Sequence, residues 1–255
     1  MELNKIYCES NLDTMARMPD NFIDLTVTSP PYDNLRTYNG YCFDFENVAK
    51  ELFRVTKQGG VVVWVVSDAT INGSETGTSF KQALYFMQCG FNLHDTMIFR
   101  KKNPIPQIYR KRYNNEFEYM FVFSKGVVKT HNPLLVDCLH AGLELNGTTY
   151  KNYSKNEQTR EKMANPVKAQ KIKGNIWEYV VGTKQEDQEA KGHPAIFPEQ
   201  LANDHILSWS NENDIVYDPF MGSGTTALSA IKNKRNCIGS EISSEYVELA
   251  NKRLD

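Results

Sequence analysis

The 255-residue sequence lacks the features that mark membrane proteins, secreted proteins and zinc ribbons. No apolar run reaches the roughly 18 residues that a transmembrane helix needs, and the first ten residues contain no long apolar segment of the signal-peptide type. The five cysteines are scattered without a C-x-x-C pair, and the five histidines show no H-x-x-x-H spacing. We therefore expect a cytoplasmic protein with neither a disulfide framework nor a metal site.

The sequence also lacks a strong overall charge, with a formal net charge of −2. The charges are unevenly distributed, however. Residues 100–173 hold 15 Lys and Arg against 6 Asp and Glu, whereas the rest of the chain holds 14 against 25. A basic middle third between acidic flanks is typical of a polyanion-binding segment on a catalytic body, although a solvated charged surface accounts for the same numbers.

Apolar strands alternate with amphipathic helices, which predicts a doubly wound α/β fold with a mostly parallel sheet. Strands are predicted at 23–28, 61–66, 93–99, 118–123, 214–218 and 236–240. Helices are predicted at 47–56, 79–89, 198–209, 225–233 and 244–254, with Gly59-Gly60 ending the first of them. The polar region that begins near residue 130 shows little periodicity. We therefore expect three regions, which are 1–129, an insertion at 130–185, and 186–255.

The first chemical motif is the glycine turn, D-P-F-M-G-S-G-T-T at residues 218–226, which follows an apolar strand and opens a helix. Its glycines permit a tight turn, and the N–H groups at the helix start suit an anionic ligand group. It lacks the third glycine of dinucleotide motifs and the G-K-[ST] of a P-loop. Glu241 ends the next strand, 17 residues beyond Gly224, where a carboxylate can accept hydrogen bonds from ribose hydroxyls. The glycine turn and Glu241 together predict a binding site for a nucleoside cofactor.

The second motif is the S-P-P-Y segment, residues 29–32, at the end of the first predicted strand. Two prolines hold the backbone rigidly, so the Ser29 hydroxyl and the Pro30 carbonyl have fixed positions. Tyr32 can stack an aromatic face beside them. Such a site suits a planar group that carries an N–H₂.

Together, these motifs resemble those of the DNA amino-methyltransferases, which modify N4 of cytosine or N6 of adenine. The catalytic motif precedes the cofactor motif, which is similar to the β arrangement of that family. The resemblance covers most of the chain and is weakest at 130–185. It implies a seven-stranded Rossmann-like sheet, S-adenosylmethionine as cofactor and double-stranded DNA as substrate. It also makes 1–129 the catalytic half, 130–185 the target-recognition region and 186–255 the cofactor-binding half.

The resemblance, with the basic segment, implies three sets of site residues. The catalytic set is Ser29, Pro30, Pro31 and Tyr32. The cofactor set is Asp218, Phe220, Gly222, Ser223, Gly224, Thr225, Glu241 and Phe197, the last from H-P-A-I-F-P-E at 193–199. The DNA-contacting set is Lys101, Lys102, Arg110, Lys111, Arg112 and Tyr113. One position departs from the family, since Glu9-Ser10 stands where members often have Gly-Asp near the cofactor adenine.

Serine at the first catalytic position favours cytosine N4 over adenine N6 in the resembled family. Three other readings remain open: a methyltransferase for protein glutamine or RNA, a catalytically inactive DNA-binding module, and a dinucleotide oxidoreductase. The motif order opposes the first, the intact motifs oppose the second, and the missing glycine opposes the third. A cognate restriction endonuclease, a monomeric or homodimeric state, and a bacterial, archaeal or phage origin are further expectations.

Overall fold

The computed structural model of the protein describes residues 1–31, 43–104, 106, 111–142, 149–151, 160–162, 168–182 and 198–254. The chain forms two compact units. One comprises Met1–Asn132 with Asn175–Asp255, and the other is Pro133–Gly174. None of the helices within the described ranges is long and apolar enough to cross a membrane.

Helices and strands alternate in the first 66 residues and again from residue 199 onward. The helices are α1 (Asn11–Ala16), α2 (Phe45–Val55), α3 (Thr78–Gln88), α4 (Glu199–Trp209), α5 (Thr225–Lys232) and α6 (Ser244–Leu254). The strands are β1 (Lys5–Cys8), β2 (Ile23–Thr28), β3 (Thr56–Val66), β4 (Thr70–Ile71), β5 (Ser74–Glu75), β6 (Asn92–Lys101), β7 (Phe117–Ser124), β8 (Leu135–Asp137), β9 (Thr149–Lys151), β10 (Arg160–Lys162), β11 (Gln170–Ile172), β12 (Ile176–Tyr179), β13 (Ile215–Asp218) and β14 (Asn236–Glu241).

The main sheet has the order β1-β14-β13-β2-β3-β7-β6-β12. All neighbouring pairs are parallel except β3–β7 and β6–β7, so β7 alone runs against the other strands of this sheet. The doubly wound, mostly parallel fold is confirmed. The described sheet has one strand more than the seven expected, because β12 pairs in parallel with β6 and forms the edge of the sheet.

Strand β3 lies in the middle of the sheet because its apolar run V-V-V-W-V-V is buried on both faces. The prediction that Gly59-Gly60 ends the helix at 47–56 was wrong, since α2 ends at Val55 and β3 begins at Thr56. A Cβ on Gly60 would lie 2.9 Å from the carbonyl oxygen of Asp24. Glycine thus permits close approach of β2 inside the strand rather than ending an element.

The helices form two layers. Helices α1, α2 and α3 pack against one another, and their apolar residues share a buried cluster with Trp64 and Phe123 of the sheet. Helices α4, α5 and α6 form the other set, with α4 and α5 packed on β2 and β13. Both faces of the central strands are therefore covered, as the doubly wound prediction requires.

The second unit, Pro133–Gly174, contains two antiparallel strand pairs, β8 with β11 and β9 with β10. Its bounds fall within the insertion expected at residues 130–185. The expected insertion also included β12, which belongs to the main sheet. The assignment of the insertion to target recognition stays a prediction.

Candidate active site

The two sequence motifs meet at one edge of the main sheet. Strands β2, β13 and β14 are parallel neighbours, so their carboxyl ends lie side by side. Ser29 and Pro30 follow the end of β2, Asp218 ends β13, and Glu241 ends β14. Open α/β sheets bind their ligands at this edge.

Asp218 connects the motifs through its buried carboxylate. The Thr28 hydroxyl donates to Oδ1 at 2.6 Å, and the Thr226 hydroxyl donates to Oδ2 at 2.7 Å. The backbone N–H of Phe220 donates to Oδ1 at 2.9 Å. Because Thr28 directly precedes Ser29, one carboxylate fixes the S-P-P-Y segment, the glycine turn and the start of α5 relative to one another.

The glycine turn uses left-handed backbone that favours glycine, with φ of 52° at Gly222 and 85° at Gly224. The Gly224 N–H donates to the Met221 carbonyl at 3.0 Å, and α5 begins at the next residue. A Cβ on Gly224 would lie 2.8 Å from the Cβ of Ala250, so the turn also requires close packing. The first N–H groups of a helix have no intrahelical acceptor, and here they can bind a ligand carboxylate.

Glu241 holds the glycine turn against the end of β14. Its Oε2 accepts the backbone N–H of Gly222 at 2.9 Å, and its Oε1 accepts that of Ser243 at 2.9 Å. Each carboxylate oxygen has a second lone pair, so both can also accept a ligand hydroxyl. This geometry is compatible with the predicted contact to ribose.

In the S-P-P-Y segment, Pro30 is buried, and Ser29 and Pro31 are partly buried. Phe220 of the glycine turn is partly buried, and its ring lies edge-to-face against Phe43, with 5.1 Å between centroids. Three predicted site residues lie outside the described residues: Tyr32, Phe197 and Arg110.

The candidate DNA-contacting residues begin at Lys101, the last residue of β6, and continue after that strand. The carboxyl end of β6 lies at the same edge of the sheet because β6 is parallel to β3. Lys101 forms a mostly buried ion pair with Glu118, with Nζ and Oε1 2.9 Å apart. Arg112 donates to the Gly73 carbonyl and pairs with Glu75 at 3.4 Å. The other described members are exposed: Lys102, Lys111 and Tyr113. Among the described members, Lys101 is the least available to a phosphate because of its ion pair with Glu118.

Sequence reasoning missed four residues that organise this edge. Thr28 and Thr226 donate their hydroxyls to Asp218. Thr28 directly precedes the S-P-P-Y segment and Thr226 lies in the glycine turn, so the two motifs could have indicated both residues. Asn11 donates from Nδ2 to the Pro219 carbonyl at 3.2 Å, and Arg253 donates to the glycine turn. These two lie 208 and 30 residues from their partners, and no local pattern marks them.

The two residues that depart from the family pattern are engaged at the start of α1. Ser10 Oγ accepts the backbone N–H of Leu12 at 3.3 Å and caps the helix. Glu9 accepts the Thr14 hydroxyl at 2.7 Å and pairs with Arg17. Both side chains thus stabilise this helix terminus.

Burial raises the pKa of both carboxyls at the edge of the sheet. For Asp218 the pKa rises to about 6, although the hydrogen bonds from Thr28, Phe220 and Thr226 favour the charged form. For Glu241 the pKa is also raised by burial, against the effect of its backbone hydrogen bonds. Buried carboxylates at a ligand-binding edge stabilise positive charge on a ligand.

Comparisons with known proteins agree with this geometry. Residues 23–252 match the N6_N4_Mtase family, described as DNA methylase. The chain is 56% identical over 239 residues to the orphan methyltransferase M.BamHII of Bacillus amyloliquefaciens, covering 92% of this chain and 89% of that protein. Its fold is similar to that of PvuII DNA methyltransferase (cytosine-N4-specific), with a TM-score of 0.75, 20% identity, and coverage of 98% of this chain and 86% of the other. It is also similar to M1.HpyAVI in complex with SAM, with a TM-score of 0.64, 23% identity and 98% coverage of both chains.

Proposed function

We propose that this chain, which belongs to the DNA methylase family and is an S-adenosylmethionine-dependent DNA methyltransferase, transfers the methyl group to N4 of cytosine. The observation that carries the choice of base is Ser29 at the first position of the catalytic segment, since the resemblance associates serine there with cytosine. We further propose that the protein is cytoplasmic, acts as a monomer or homodimer, and uses residues 130–185 to recognise its target. A cognate restriction endonuclease is a further proposed partner.

The residues at the sheet edge fit the chemistry of the cofactor. S-adenosylmethionine has a carboxylate, two ribose hydroxyls and positive charge on its ammonium and sulfonium groups. The start of α5 offers N–H donors for the carboxylate, and Glu241 offers acceptors for the ribose. Asp218, whose oxygens already accept three protein donors, adds negative charge and holds the two motifs together.

When bound, S-adenosylmethionine supplies an electrophilic methyl group. The base amine is a weak nucleophile, because its lone pair is delocalised into the ring. In the proposed mechanism, the Ser29 hydroxyl and the Pro30 carbonyl accept the amine hydrogens and turn the lone pair out of the ring plane. Much of the rate then comes from positioning. A hydroxyl is a poor base, so Ser29 orients the amine, whose proton is lost once methylation has made it acidic.

The target base must leave the duplex to reach this edge, at a cost of a few kcal/mol. Exposed cations beside the catalytic segment can hold the flanking phosphates during this step. Lys102 and Lys111, which are exposed, are the residues we propose for this role. Phosphate contacts of this kind position the duplex without reading its sequence.

The test of the target atom is to treat DNA from a methylation-deficient bacterium with the protein and S-adenosylmethionine and to identify methylated nucleosides by mass spectrometry. We expect N4-methylcytosine. Ser29→Ala should lower kcat by about 10- to 100-fold, the effect of one lost orienting hydrogen bond. Ser74→Ala is the control, because Ser74 is an exposed serine in β5. N6-methyladenine as the product would overturn the choice of cytosine while leaving the enzyme class unchanged.

Cofactor affinity should depend on pH. Below about pH 6, Asp218 becomes protonated and no longer favours the positively charged cofactor. S-adenosylmethionine affinity should therefore fall by up to about tenfold per pH unit below this value, as expected for one linked proton. Calorimetry between pH 7 and 5 measures this, and a flat profile would contradict it.

The stability of the cofactor-free protein should depend on pH in the opposite sense at Asp218. Its folded-state pKa of about 6 lies above the value of about 4 for an unfolded aspartate. The stability that this group contributes is therefore present below about pH 4 and is lost as the pH rises through about 6. Because cofactor affinity falls over the same pH range, the increase in Tm caused by S-adenosylmethionine should become smaller on acidification. Thermal unfolding with and without the cofactor at several pH values measures both effects.

Replacing both Lys102 and Lys111 with alanine should weaken DNA binding uniformly across sequences. Each lost phosphate contact should reduce the slope of log affinity against log salt by about 1. Lys232→Ala is the matched control, because Lys232 ends α5, away from the ligand-binding edge. Fluorescence anisotropy at several salt concentrations measures these slopes. An unchanged slope in the double variant would remove both residues from the DNA interface.

A further inference from the structure

Two arginines with largely buried side chains hold turns of the main unit, and one of them holds the glycine turn. Arg253, in the last turn of α6, is 7% exposed. Its Nη1 donates to the Ser223 carbonyl, lies 3.2 Å from Ser223 Oγ, and lies 3.3 Å from Thr225 Oγ1. No sequence motif assigned a role to this residue.

The contact from Arg253 sets the orientation of one peptide group. The Ser223 carbonyl and the Gly224 N–H belong to the same planar peptide and point in opposite directions. Arg253 binds the carbonyl, while the N–H donates to the Met221 carbonyl at 3.0 Å. With the carbonyl and the N–H of this peptide both hydrogen-bonded, Gly224 adopts its left-handed conformation and α5 starts immediately after it.

The side chains of Ser223 and Thr225 are buried, and their hydroxyls face Arg253. These two residues therefore meet a cofactor through their backbone, and the direction of that backbone depends on the guanidinium. Ala250, one turn earlier on α6, packs against Gly224. The same helix face thus supports the turn by packing and by hydrogen bonds.

We propose that Arg253 is a positioning residue for S-adenosylmethionine binding, acting through Ser223 and Thr225 to hold the first N–H groups of α5 in their binding orientation. This inference rests on the proposed assignment of the glycine turn as the cofactor site. An ordered turn lowers the conformational cost of binding, so the main effect is on cofactor affinity rather than on the chemical step.

Arg235 provides a matched control. It is 9% exposed and donates to Ser210 Oγ at 3.0 Å, to the Ser210 carbonyl at 2.6 Å and to the Asn233 carbonyl at 2.7 Å. It directly precedes β14, at the opposite edge of the sheet from the glycine turn. Both arginines therefore stabilise a turn, and only Arg253 contacts the proposed cofactor site.

The experiment compares Arg253→Met, Arg253→Lys and Arg235→Met in the full chain by calorimetric titration with S-adenosylmethionine, thermal unfolding and steady-state kinetics. For Arg253→Met we expect Kd and the KM for the cofactor to rise about 10- to 100-fold, with kcat at saturation within about threefold of the parent. Arg253→Lys keeps a donor and should recover part of the affinity. If the methionine variant does not fold, the lysine variant still tests the proposal. Arg235→Met should lower Tm with Kd within about twofold of the parent.

Two results would overturn the proposal: an unchanged Kd in both Arg253 variants, or a loss of kcat without a change in KM. Glu241→Gln separates this outcome from failure of the cofactor-site assignment. If Glu241→Gln weakens binding and the Arg253 variants do not, only the role of Arg253 is wrong. If none of these variants changes Kd, the glycine turn is not the cofactor site.

Discussion

Replacing Asp218 with alanine should abolish detectable methyl transfer and destabilise the protein by on the order of 2–4 kcal/mol. The variant removes the acceptor for the hydroxyls of Thr28 and Thr226 and for the N–H of Phe220. The hydroxyls of Thr28 and Thr226 then stay buried without that partner, and the S-P-P-Y segment is no longer tied to the glycine turn. S-adenosylmethionine affinity should fall by on the order of 100-fold or more, corresponding to roughly 3 kcal/mol.

Asp218→Asn separates the charge from the hydrogen-bond network. The asparagine oxygen can replace Oδ1, and the Thr226 hydroxyl can rotate to accept from the amide. This variant should therefore lose much less stability than the alanine variant while still losing cofactor affinity. Asp214→Asn, near the amino end of the same strand, is the control and should leave affinity unchanged. Thermal unfolding and calorimetry measure both quantities, and an unchanged S-adenosylmethionine affinity in Asp218→Asn would exclude a role for the charge in cofactor binding.

The second large effect is expected for Glu241→Ala, which should raise the Kd for S-adenosylmethionine by on the order of 1000-fold. The variant removes the two carboxylate oxygens that are proposed to accept the ribose hydroxyls. It also removes the acceptor for the N–H of Gly222, so the glycine turn loses its tie to β14. Glu245→Gln is the control, because Glu245 is an exposed acid in the first turn of α6.

Nucleoside ligands separate the ribose contact from the ordering of the turn. The parent protein should bind adenosine more tightly than 2′-deoxyadenosine, and Glu241→Ala should bind the two alike. If the variant still discriminates between them, another residue contacts the 2′-hydroxyl. Competition against a fluorescent S-adenosylmethionine analogue gives both affinities.

Local sequence was sufficient to locate most of the central strands and helices. The apolar run of β3 predicts a strand, because burial on both sheet faces restricts the run to apolar residues. The glycines before α5 predict a tight turn, because left-handed backbone favours glycine. The strands β1 and β12 were not predicted. Each has four residues, and local propensity alone does not stabilise a strand there. Pairing of β1 with β14 and of β12 with β6 stabilises the strand conformation instead.

The sequence by itself determined the family, the cofactor and the two motifs, because backbone requirements and reactive groups are local and carry short residue patterns. Only the tertiary structure decided how those motifs are joined. Asp218 binds Thr28 across 190 residues, and Arg253 reaches Ser223 across 30. Such contacts depend on which strands become neighbours and how the helices pack on them. Sheet pairing and helix packing bring these side chains together only on folding, and for that reason no local pattern reveals these long-range contacts.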